Sequence, residues 1–197
     1  MAQSQFEQAL ARANALVAEG KLEEGAALYE QLIAHEPQNR DLYRDLAMVY
    51  ERKGDIPSAI KTHLRWADLC VHLGLPDEAL RLYNQVLSVE QAATNPEKKG
   101  LFKSSNASPD KIRELVAGSR AAISIQIGRI YLQKMMADEA IKALKGAIDA
   151  SQGGHDHHIH MLLGIAYMQK SMDKEAIGEF QEVVRLAPNE AAFAYEK

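Results

Sequence analysis

Apolar and small residues recur along this chain at helical spacing, in paired bursts separated by short polar turns. The clearest burst begins at Arg40, with Tyr43, Leu46, Ala47 and Tyr50, pauses at Gly54, and resumes with Ala59, His63 and Trp66. Spacings of three and four residues place each group on one face of a helix, and the glycine between them predicts a tight turn. The preceding stretch repeats the pattern with Ala13, Leu16, Gly20, Gly25, Tyr29 and Leu32, ending at Pro37. Ala13 to Ala47 and Gly25 to Ala59 each span 34 residues. Two later copies carry Ile127, Gly128 and Tyr131 before Ala140, Leu144 and Ala147, then Leu163, Gly164 and Tyr167 before Ala176, Phe180, Val183 and Pro188. The small residues Ala47, Gly128 and Gly164 allow a partner helix to approach closely, and the tyrosine one turn later fills the remaining space.

Two irregularities interrupt the period. Ala59 and Ala79 both introduce second-helix signatures but stand only 20 residues apart. The helix from about Pro57 to Leu73 is therefore expected to end one hairpin and begin the next. Ala79 to Ala140 is 61 residues, about 27 more than one repeat. The added segment includes residues 94–108, rich in Ser, Lys and Asn and broken by Pro96 and Gly100, and predicts a polar loop. Ser108-Pro109-Asp110 reads as an N-cap and first turn, opening a long helix that reaches Lys134.

These residues resemble the tetratricopeptide repeat, whose signature of Leu-Gly, Tyr, Ala, Phe and Pro recurs over about 34 residues. The resemblance implies an all-α fold, a right-handed solenoid of stacked helix-turn-helix repeats, here with one odd helix and an inserted loop in the middle. It divides the chain into N-terminal hairpins over 1–93, the loop 94–108, C-terminal hairpins over 109–188, and the start of a capping or further helix over 189–197. It also implies a concave face lined by the first helix of each repeat. On that face the early repeats place Asn14, Arg44, Asp45 and Met48, and the late repeats place Ile125, Arg129, Leu132, His158, Met161, Leu162, Ile165 and Met168. The late set is mostly apolar and methionine-rich, which suits a partner helix or peptide. The family's carboxylate clamp for acidic chaperone tails finds only Asn14 here, with Leu10 and Asp45 at positions the clamp gives to Lys and Asn.

The implied function is a non-enzymatic scaffold that binds a protein or peptide partner, with no cofactor. The alternatives are a metal-responsive module built on His155–His160, or a regulatory or spacer part of a larger protein. A net charge of -4 supplies no basic field for nucleic acid. Cys70 is the only cysteine, which excludes an intrachain disulfide and fits a reducing, cytoplasmic setting; on an apolar helix beside Trp66 and Leu69 it reads as core. No run is long and apolar enough for a membrane span, and Met1–Leu16 lacks the form of a signal peptide. His155-Asp156-His157-His158-Ile159-His160 is the densest polar cluster. Its plainest reading is a turn with Asp156 as N-cap, and its metal reading takes Asp156, His157 and His160 as ligands. Lys98, Lys99 and Lys103 beside Phe102 read as a solvated loop.

Overall fold

The computed structural model describes residues 3–94, 108–151 and 156–188, and among them every element is an α-helix. The order is α1 (Gln3–Ala18), α2 (Leu22–His35), α3 (Arg40–Lys53), α4 (Ile56–His72), α5 (Pro76–Thr94), α6 (Pro109–Gln133), α7 (Ala137–Ala150), α8 (His157–Gln169) and α9 (Asp173–Leu186). Two compact units result, Met1–Val116 and Ala117–Lys197, with the division falling inside α6. Helix α5 includes Thr94, the first residue assigned to the expected loop. Residues 95–107 with their lysines and Phe102, His155, and Ala191–Tyr195 lie outside the described residues.

Five of the turns share one geometry. At Gly20, Gly54, Gly74, Met135 and Ser171 the residue takes a positive φ, between 56 and 81 degrees. Its N–H donates to the carbonyl three residues back, and the next N–H reaches the carbonyl five residues before it, as in Gly54 to Glu51 (3.0 Å) and Asp55 to Tyr50 (2.9 Å). This closes the orphan carbonyls of the first helix and reverses the chain within a few residues. Such a turn joins α1 to α2, α3 to α4, α4 to α5, α6 to α7 and α8 to α9. Helix α4 therefore sits in two successive hairpins and packs against both α3 and α5. The 20-residue spacing predicts this shared helix. After Gly54, Asp55 caps α4: its Oδ1 accepts from the Ser58 N–H at 3.2 Å and its Oδ2 from the Ser58 hydroxyl at 3.0 Å.

In the first unit the core is built from Leu32, Leu42, Leu46, Ile56, Ile60, Leu82 and Tyr83, all essentially solvent-free. Polar links add to it. His63 of α4 donates from Nε2 to Glu51 of α3 at 2.7 Å, and Arg40 at the start of α3 pairs with Glu78 at the start of α5 at 2.8 Å. Cys70 is fully buried, as its apolar neighbours predict, and burial pushes its thiol up to about 11.

The second unit holds a core of Ala140, Leu144, Ala147, Ile159, Leu163, Ala166, Tyr167 and Ala176. Its helices meet over glycines. A Cβ on Gly128 would lie 2.6 Å from Leu144, and one on Gly164 would lie 2.5 Å from the ring of Phe180. The small residue of each Leu-Gly or Ile-Gly pair is thus where α6 meets α7 and α8 meets α9. In the first unit, Gly25 does the same against Val17 at 2.6 Å.

Candidate functional site

Helix α8 starts at Asp156, whose φ of -88 and ψ of 100 degrees are extended and whose Oδ1 accepts from the His158 N–H at 2.9 Å. It ends where the Gln169 amide donates to the Leu132 carbonyl in the last turn of α6 at 3.1 Å. Ile159, Leu163, Ala166 and Tyr167 face the core, so the opposite face must carry whatever else the helix holds. That face carries Met161, Ile165 and Met168, with 40%, 38% and 59% of their surface exposed. Their spacing of four and three residues makes a single apolar strip roughly 10 Å long.

The other late-repeat positions divide. Arg129 and His158 are exposed, and Ile125 and Leu162 are half-buried against the unit's core. Leu132 corrects the sequence expectation: it is buried within the core cluster that contains Leu163 and Tyr167, and lines no open face. Its i+7 spacing from Ile125 suggests a common face. The end of α6, however, is drawn into contact with α8 by core packing and the Gln169 bond.

In the first unit, Met48 is 53% exposed on a helix whose neighbouring charges pair with one another. Arg44 bonds Asp41 at 2.8 Å and Asp45 at 2.9 Å, and the Asp45 hydrogen bond leads the effects that raise the guanidinium above its ordinary value. Asn14 is exposed, and its side-chain oxygen accepts from the Tyr29 hydroxyl. The one residue matching the carboxylate clamp is thus already engaged.

The histidine cluster is rearranged relative to expectation. Asp156, His157 and His158 each offer one ligand atom, and these atoms lie within 4.8 Å of one another. His160 instead turns toward α9, its Nδ1 lying 2.7 Å from Glu179 Oε2. Sequence reasoning also missed a second apolar face. Ile177 and Val184 on α9 are 57% and 45% exposed. Their seven-residue spacing, offset from the core pattern of Ala176, Phe180 and Val183, is the signal that finds them.

Repeated helical hairpins that leave an apolar first-helix face open define a helical-repeat interaction protein. The family model of the tetratricopeptide repeat matches residues 10–70 and 125–191, and the chain belongs to that family. Solved structures of similar architecture include MamA (13% identity, TM-score 0.47, covering 95% of this chain and 94% of that one). YrrB, a tetratricopeptide-repeat protein with an unusual peptide-binding site, is 15% identical with a TM-score of 0.49, covering 96% and 91%. A thermophilic tetratricopeptide-repeat protein from Thermus thermophilus, TTC0263, is 19% identical with a TM-score of 0.40, covering 97% and 96%. No curated protein matches the sequence. Among the described residues, no helix is long and apolar enough to cross a membrane.

Proposed function

We propose that this tetratricopeptide-repeat protein is a non-enzymatic cytoplasmic scaffold that holds a helix or extended peptide of a partner protein against α8. The observation that carries this reading is the strip of Met161, Ile165 and Met168, three large apolar side chains left in water on the first helix of a repeat. Burying such side chains supplies affinity, and methionines adapt to partners of imperfect fit. Arg129 and His158 provide polar contacts at the margin. The ion-paired Asp41–Arg44–Asp45 set in the first unit is charged and offers no comparable apolar patch.

The test compares partners captured by the full chain with those captured by Met161→Glu plus Ile165→Glu. Both sites are exposed, so circular dichroism and the denaturation midpoint should stay within about 0.5 kcal/mol of the parent. Direct titration of a captured partner should then show a loss of at least about 30-fold, since two buried anchors are replaced by charges. Partners that all bind the charged variant with unchanged affinity would place the site elsewhere.

A further inference from the structure

We infer that Asp156, His157 and His158 form a binding site for a divalent transition ion of the zinc class. Consecutive residues on a helix normally point about 100° apart and do not face each other. Here they meet: the His157 and His158 ring centroids are 4.0 Å apart at an interplanar angle of 38 degrees. Their position in the first turn of α8 permits this, because no preceding turn constrains them. The third ligand is held by the cap itself, since the bond from the His158 N–H fixes the Asp156 carboxylate beside both rings.

Two imidazoles and one carboxylate are a donor set that zinc, nickel and copper accept and that magnesium does not favour. Zinc ligands sit at about 2.0–2.2 Å from the ion, so donors in a tetrahedral site lie a little over 3 Å apart. The donor atoms already lie within 4.8 Å of one another, so reaching that spacing needs a change of no more than about 1–2 Å between them. Asp156 and His157 are half-buried and His158 is exposed, so the site is open on one side and the ion keeps a position for water. The helix N-terminus disfavours a cation there, and the Asp156 carboxylate offsets that field. His160 takes no part, because its Nδ1 is held by Glu179 of α9.

The experiment is calorimetric titration of the untagged, chelator-stripped full chain with zinc chloride, and with magnesium chloride as the hard-ion control. We expect one zinc per chain at roughly micromolar affinity and no magnesium heat. His157→Ala plus His158→Ala should abolish binding. Asp156→Asn keeps the cap, since Asn serves there as well as Asp, and removes the anionic ligand. It should weaken zinc at least about tenfold while helicity measured by circular dichroism is unchanged. His160→Ala should bind zinc as the parent does. Absence of zinc binding up to about 100 µM, or equal affinity in the double-alanine variant, overturns the inference, and so does a loss in His160→Ala matching that of the ligand variants.

Discussion

Replacing Gly164 with alanine tests whether close helix approach governs the second unit. The new Cβ would lie 2.5, 2.7 and 2.9 Å from three atoms of the Phe180 ring, where ordinary contacts begin near 3.4 Å. A ring cannot yield one atom at a time, so the whole side chain must shift by something approaching 1 Å. Overpacking of this kind costs about 1–3 kcal/mol. Against it stands the gain from removing a glycine from a helix interior, about 1 kcal/mol. Phe180 is only half-buried and has some room to swing, which places the net loss near 1 kcal/mol. Gly178 on α9 supplies the matched control, because a Cβ there meets nothing within 4 Å. Gly178→Ala should stabilise by about 0.5–1 kcal/mol. The two variants should therefore differ by about 2 kcal/mol with opposite signs, a separation of roughly 1 M in urea midpoint. In a Phe180→Ala background the sign at Gly164 should reverse, so that alanine becomes favourable. If Gly164→Ala and Gly178→Ala move the midpoint in the same direction by similar amounts, the close contact is not a constraint and the reasoning fails.

Two further outcomes follow from the turns and the buried acids. Met135 holds a left-handed conformation, with φ of 58 degrees, and is 71% exposed, at a position equivalent to glycine in the first unit's turns. Met135→Gly should raise stability by about 0.5–1 kcal/mol, read from the denaturation midpoint, and a loss would show that the methionine side chain contributes packing instead. The neutral thiol of Cys70 and the neutral phenol of Tyr83 are both favoured by burial, and Asp68 adds to the effect at Tyr83. Their folded values are raised, so the unfolded chain releases these protons first, from the ordinary 9.0 for the thiol and 10.0 for the phenol. Stability is then full below about pH 9 and falls as pH rises beyond it. Urea midpoints between about pH 8 and pH 11 should show that fall and a shallower one in Tyr83→Phe; identical slopes would contradict the assignment.

Much of the hairpin order is legible in the sequence because two independent signals coincide there. The period fixes where a helix begins, and residues such as Gly128 and Gly164 mark where a neighbour must touch it. The shared helix is legible too, since a 20-residue interval leaves no room for a separate first helix between Ala59 and Ala79. Side-chain pairing across elements is not legible. His160 and Glu179 are 19 residues apart, and nothing local in either stretch selects that bond over a metal ligand set containing His160. Leu132 fails for a related reason. Face assignment by spacing assumes an undisturbed helix running beside open space, whereas its last turn is filled in by Leu163 and Tyr167. The left-handed turns at Met135 and Ser171 escape notice because neither residue type advertises that backbone.

The double membership of α4 bears on how the first unit comes apart. An array of independent hairpins sheds its end pieces one at a time, each peeling at a seam. Here no seam exists between the second and third pairs, because unwinding α4 deprives α3 and α5 of their common wall at once, and the Arg40–Glu78 clasp spans the same stretch. Those three helices should melt as a single block, while α1 and α2 can fray ahead of it.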